Sequence, residues 1–368
     1  SNNIGDTLIG KDILSVGDRI APLKGIVFYN FDRYKVDPRT NTDISVGSYY
    51  TYNSGWNLIS VPFVPRDTLS SMKVSLYPTA SSNAFSYAAG YNRKDTLTPG
   101  VGYWLKFPTL TTQKMFGRRL SSKVIDVNTG WNLIGSITTP ISTSAVIPNS
   151  GNTITSSFYK YDNGYLVSSA IDSGKAYWVK VRDAGTLTLG GVSLFLNKEA
   201  EQYAKVEDYN TITVSDKNGS SQTLYFGLDA DGKVNKELYQ MPPQPPSSIF
   251  DVRFASQRIL ETYQRDIAKY NQHTININSA EFPLTISWNV TNNNGKNFSI
   301  TDAANGKIIG LKEINGEGSI KVSNHNLTTL MLRIDNGEQL PIEFALGQNY
   351  PNPFNPTTMM TVAVPKAA

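Results

Sequence analysis

Two histidines, His273 and His325, and no cysteine stand in a chain of 368 residues. Thiol nucleophiles, thiolate metal sites and disulfides are therefore excluded together, and neither histidine has a second one three or four positions away to build a zinc site or a serine–histidine relay. Both read as ordinary strand or turn residues. The sequence holds no Gly-x-x-x-x-Gly-Lys phosphate loop, no Gly-x-Ser-x-Gly elbow and no His-Glu-x-x-His. Carboxylates are plentiful, but nothing in their spacing sets two of them at the separation glycoside hydrolysis needs. The best cation candidate, Asp229-Ala-Asp-Gly-Lys-Val-Asn-Lys-Glu237, puts Lys233 at a ligand position, brings Gly232 two places early and lacks a glutamate at its twelfth position. A plain turn is favoured there. Lys114, Arg118 and Arg119 form the one basic cluster, expected on a solvated loop, and at a net charge of +4 no nucleic-acid partner is expected. The chain thus reads as non-catalytic, with no cofactor and no metal.

The remaining residues with chemical potential are aromatic. Gly55-Trp-Asn-Leu-Ile59 recurs as Gly130-Trp-Asn-Leu-Ile134, Phe85–Tyr91 recurs as Tyr159–Tyr165, and Gly100-Val-Gly-Tyr-Trp-Leu-Lys106 recurs as Gly174-Lys-Ala-Tyr-Trp-Val-Lys180. Order and spacing are kept, which marks an internal duplication. Strand alternation puts Tyr103, Leu105 and Phe107 on a core face, with Trp104 and Lys106 opposite; Tyr177, Val179 and Val181 against Trp178 and Lys180 repeat the pattern. Trp104 and Trp178, with Tyr91 and Tyr165, could offer aromatic platforms to cell-surface glycans. The alternative is that the indoles pack between the two copies, and the usual burial of large aromatics favours it.

The elements that must carry these residues are short strands. Abundant Thr, Ser, Asn, Gly and Tyr, with 17% charged residues, describes strands joined by turns, so the fold class is mainly β, as several tandem sandwich- or barrel-like domains. The boundaries expected are a partial barrel over 1–47, a duplicated module over 48–198 with copies at about 48–122 and 123–198, a sandwich of Ig-like size over 199–345, and a C-terminal motif over 346–368. Within the third unit, 256–268 is open between helix and strand, and Pro242–Pro246 reads as a stiff crossing between sheets ahead of a ligand for a proline-recognition domain. No apolar run reaches the roughly 18–20 residues of a membrane-spanning helix.

Leu346-Gly-Gln-Asn-Tyr-Pro-Asn-Pro-Phe-Asn-Pro-Thr-Thr358 closely resembles the opening of the C-terminal sorting domain carried by cargo of the bacterial type IX secretion system. The resemblance implies an extracellular or cell-surface location and, for the intact precursor, the type IX machinery as partner. The repeats are similar to those preceding such sorting regions in exported bacterial proteins, where no chemistry is implied. Gly17-Asp18, Gly25–Phe31, Tyr34–Arg39 and Asp43-Ile44 resemble the last strands of an OB-type domain of secreted nucleases, so an accessory segment of an exported nuclease or hydrolase is a further reading. Asp-Thr-Leu at 6–8, 67–69 and 95–97 resembles a short O-glycosylation signal, making Thr7, Thr68 and Thr96 candidate acceptors. After the prolines, Thr357, Thr358, Met359, Met360, Thr361, Val362, Ala363 and Val364 are expected to form a single strand, pairing with the sandwich, with another copy of the chain, or with nothing. A stalk or fibre subunit chained by strand addition follows as the leading expectation.

Overall fold

The computed structural model describes residues 19–37, 44–149, 153–190, 206–265, 270–304, 306–336, 345–350, 353 and 356–363. It is a succession of separate, largely antiparallel sheets; among the described residues the helical part is one α-helical turn, Lys73–Leu76, and a few 3-10 turns, so the chain is mainly β with sandwich-like domains in tandem.

Each copy of the repeat is a pair of sheets. In the first, strands Gly55–Ser60, Gly102–Phe107, Ala84–Tyr87 and Tyr91–Lys94 form one sheet, and Arg19–Leu23, Ile44–Tyr52, Thr111–Arg119 and Phe63–Val64 form the other. Their facing sides enclose Tyr52, Ile59, Tyr77, Tyr103, Leu105 and Phe107. The second copy repeats this with Gly130–Ile134, Tyr177–Val181, Phe158–Tyr161 and Tyr165–Ser168 against Lys123–Val127, Gly185–Leu189 and Ile147–Pro148.

The repeated residues have local reasons. Gly55 and Gly130 sit at φ +88° and +89°, where a side chain would be strained. The asparagine two places on closes the turn: Asn57 Oδ1 accepts from the amide of Asn53 at 3.1 Å while its Nδ2 donates to the Asn53 carbonyl at 2.8 Å. Asn132 does the same to Asn128 at 2.9 and 2.7 Å. Tyr103 and Tyr177 fix the loop that precedes their strands by accepting from the amides of Thr98 and Asp172 at 2.8 and 2.9 Å.

The expected boundary at 47/48 falls inside strand Ile44–Tyr52, which pairs with Thr111–Gly117 from Val46 to Tyr52. Ser45 and Val46 are buried there, so this stretch belongs to the first repeat. Upstream, Ile26–Asn30 and Arg33–Asp37 pair only with each other, and no closed barrel is present among the described residues. The basic trio is also displaced from its expected loop. Lys114, Arg118 and Arg119 lie on strand Thr111–Arg119, with the Lys114 ammonium over the rings of Phe116 and Tyr49 at 4.8 and 5.8 Å. The strand extends that far because its Met115 and Gly117 face the core.

The third unit is a sandwich of two five-stranded sheets. One runs Leu260–Tyr263, Ser221–Leu228, Asn210–Ser215, Leu284–Val290, Gly316–Val322; the other runs Asp251–Phe254, Tyr270–Asn278, Thr329–Asn336, Lys296–Asp302, Lys312–Glu313. The ambiguous 256–268 stretch holds strand Leu260–Tyr263, paired parallel to Tyr225–Leu228 and buried at all four positions. Burial on both faces removes the alternation by which a strand is recognised. Pro242–Pro246 lies between Ser221–Leu228 in one sheet and Asp251–Phe254 in the other, as a crossing should.

The C-terminal motif departs from expectation. Among the described residues of 357–364, Val362–Ala363 is the strand, and it pairs with strand Ala345–Leu346 at the start of the motif. Tyr350 and Met359 exchange both backbone bonds at 2.9 Å, and the Gly347 amide donates to the Thr361 carbonyl at 2.7 Å. The prolines at 351, 353 and 356 have no amide to donate, so the ladder is made by residues on either side of them. Within Thr357 to Met360, Met359 makes that bridge, and Val364 lies outside the described residues.

Candidate functional site

The two copies meet about a pseudo-two-fold relation. The Ser60 amide donates to the Gly174 carbonyl at 3.1 Å, and the Gly135 amide, one repeat on, donates to the Gly100 carbonyl at 2.9 Å. Bridges Ile59 to Lys175 and Val101 to Ile134 are related in the same way. Ser60 and Ser136 share a hydroxyl contact of 2.8 Å at the join. Gly102 admits this approach, since a Cβ there would sit 2.7 Å from the Ala176 Cβ and 2.8 Å from the Ile134 carbonyl oxygen.

The aromatic residues singled out by the duplication interlock across that relation. Trp104 of the first copy meets Tyr161 of the second edge-on at 4.8 Å, and Trp178 of the second meets Tyr87 of the first at 4.9 Å. The outer pairs match too: Trp104 with Tyr165 at 6.4 Å, and Trp178 with Tyr91 at 6.5 Å. Within each copy the motif tryptophan backs its partner, Trp56 on Trp104 and Trp131 on Trp178, both at 6.4 Å. Such edge-to-face pairs add about 0.5–1.5 kcal/mol each beyond the area they bury.

The sandwich seals the outer side. Tyr91 Oη donates to the Gln244 carbonyl at 2.8 Å, Tyr165 Oη to the Pro243 carbonyl at 3.2 Å and Tyr161 Oη to the Phe250 carbonyl at 3.1 Å. Beneath them Arg253, with no exposed surface, grips Asp251 through two bonds of 2.6 and 2.7 Å and the Pro242 carbonyl at 2.7 Å. The Arg253 guanidinium lies 6.0 Å from the Tyr165 ring centre. Trp104, Trp178, Tyr165 and the sandwich interior form one continuous apolar core.

This placement corrects the platform reading. Trp104 and Trp178 are fully buried, Tyr165 is 1% exposed, and the hydroxyl of the half-buried Tyr91 is spent on the sandwich backbone. None of the four offers a face to a sugar, because each ring's partner is the opposite copy. Sequence alternation could separate Trp104 from Tyr103 and Leu105; it could not show that both faces of the strand were covered.

Other candidates resolve into turns and surface. Asp229 is buried, its Oδ1 accepting from the amides of Lys233 and Val234 at 3.0 and 3.4 Å, which leaves Asp231 to an exposed pair with Lys233. His273 lies on a strand with Nδ1 3.6 Å from Glu261, its pKa held below the ordinary value by burial, against the pull of that carboxylate. His325 rests on Phe282 in a turn. Thr68 and Thr96 are exposed and lie on adjoining loops, Thr96 bridging to Met72; Thr7 lies outside the described residues. Asp67, which precedes Thr68, has a local role, since its carboxylate accepts from the Ser70 amide at 2.7 Å, and that bonding lowers its pKa.

Burial raises the hydroxyl pKa of Tyr91, Tyr159, Tyr161 and Tyr165 above the ordinary 10. The unfolded chain loses these protons first, so the folded state is fully favoured below pH 10 and loses stability as pH rises beyond it. Absorbance at 295 nm is expected to show these phenolates only as the protein unfolds in alkali; smooth titration of all tyrosines near pH 10 with native circular dichroism would contradict the interlock.

Compared with known protein families, with curated proteins and with solved structures, the chain matches none.

Proposed function

We propose that the chain is a non-enzymatic structural segment of a protein exported to the bacterial surface, in which the duplicated repeat and the sandwich act as one rigid spacer. The observation that carries this reading is the reciprocal interlock of Trp104 and Trp178, sealed by the Pro242–Gln244 backbone. Units on a flexible tether would have only their own closed cores; here each copy keeps a core between its sheets, and a further core is shared by both copies and the sandwich. The most distinctive repeated residues, Gly55, Asn57, Tyr103, Trp104 and their equivalents, are each consumed by a turn or by packing. Folding energy of that kind fits a load-bearing or distancing role.

Export by the type IX machinery rests on the Leu346–Thr358 string. Assembly into fibres by strand addition through Thr357–Val364 would require the pairing between Ala345–Leu346 and Val362–Ala363 to open first. The parent polypeptide, expressed in a bacterium with this machinery, is expected in the surface or medium fraction and to be retained in the periplasm when 346–358 is deleted. Unchanged surface display of the deleted form would overturn the sorting reading.

A further inference from the structure

The duplication supplies an internal comparison, because the sandwich covers the two copies unequally. In the second copy the segment Asn235–Gln240 lies over the outer edge of the repeat. Lys180 Nζ donates to Gln240 Oε1 at 2.6 Å and lies 3.4 Å from the Glu237 carboxylate, while Tyr239 is buried. Beneath it Ser156, Ser157 and Tyr159 are 2%, 7% and 1% exposed.

The first copy has the same framework without the cover. Ser82 Oγ accepts from the Lys106 amide just as Ser156 Oγ accepts from the Lys180 amide, at 2.9 and 2.8 Å. Yet Ser82 and Phe85 are only half-buried, Asn83 is exposed, and a cleft of about 520 Å³ opens between them, floored by Trp56 and Phe85 and walled by Pro246 and Ser247 of the sandwich. No acidic residue lines it. Lys73 is on its wall, with its ammonium donating to the Ala80 carbonyl at 3.3 Å, and Lys106, cross-strand from Trp56, is exposed.

From this we infer that the first-copy cleft is a docking site for a turn of another polypeptide with the chemistry of Glu237–Gln240: a carboxylate for Lys106 and Lys73, and an apolar or aromatic residue two places on for the Trp56–Phe85 floor. Charge complementarity and the occupied twin site both specify this ligand. A second copy of the chain is a poor source, because its own Glu237 turn is engaged on its own Lys180.

The test is calorimetry of the full chain with a synthetic Asn-Lys-Glu-Leu-Tyr-Gln peptide. One-site, saturable binding with Kd of about 1 mM or tighter is expected. Lys106→Ala and a peptide with glutamine for its glutamate should each weaken it about fivefold, and Asn83→Trp, which fills the open side, should abolish it. Absence of saturable binding, or equal affinity for the Lys106→Ala protein, overturns the inference. So does competition by a neutral oligosaccharide that binds the cleft more tightly, or occupation of the cleft by self-association in sedimentation.

Discussion

Trp104→Ala is expected to destabilise the protein by about 3–5 kcal/mol, the upper range for removing a buried aromatic. The indole has no exposed surface and touches rings from both copies. Its loss therefore opens a cavity where three units meet. The position of the cavity matters more than its size: because the core is continuous into the sandwich, the sandwich should unfold at lower denaturant as well. Urea melts followed by circular dichroism, with hydrogen exchange on strands Leu284–Val290 and Thr329–Asn336, would register this. Pairing the change with Tyr161→Ala should reveal a coupling of about 0.5–1.5 kcal/mol. A loss below about 1 kcal/mol, or a sandwich whose exchange is untouched, would mean the units are merely adjacent.

Arg253→Ala should be of similar severity for an electrostatic reason. The guanidinium and the Asp251 carboxylate are 0% and 2% exposed, so removing one leaves the other charged in a site water does not reach. Breaking such a pair costs about 3–5 kcal/mol, whereas replacing both members by apolar residues of similar volume is often close to neutral. Arg253→Met with Asp251→Leu should accordingly recover much of the loss. Full recovery is not expected, since Arg253 also holds the Pro242 carbonyl and Gln257 Oε1 at 2.7 and 3.1 Å. Chemical denaturation of the two singles and the double gives the comparison; a double variant as unstable as Arg253→Ala would place the energy in the Pro242 contact and not in the ion pair.

Much of the architecture was legible. The two Gly-Trp-Asn-Leu-Ile strings and their offsets revealed the duplication, and alternation assigned Tyr103, Leu105 and Phe107 to the core they occupy. What escaped depended on partners distant in sequence. Strand Leu260–Tyr263 is buried on both faces and carries Glu261, which lies 3.7 Å from Arg258 and 3.6 Å from His273; neither fact is written in a local pattern. The boundary expected at 47/48 followed from the likeness of the strands before it to an OB-type domain, while the strand that crosses it, Ile44–Tyr52, pairs with Thr111–Arg119 some sixty residues or more along the chain. For the candidate site, the four aromatics were identified and their surroundings were not, because hydrophobic rings serve a ligand and a neighbouring domain equally well. The Trp56–Phe85 cleft had no separate signal: Trp56 and Ser82 recur as Trp131 and Ser156 in the second copy, and the cover that the sandwich gives one copy is not written in either.

The near-symmetry of the repeat also has a genetic side. Tandem copies are prone to recombine into one, and in many arrays the shortened product still folds because each unit meets an equivalent neighbour. Here a single remaining copy would present Trp104 or Trp178 with no opposing tyrosines, and the proline crossing would lose one of its two anchoring hydroxyls. Unequal exchange that removed one copy is thus expected to give a less stable product, because the remaining copy would keep its own core and lose the shared one.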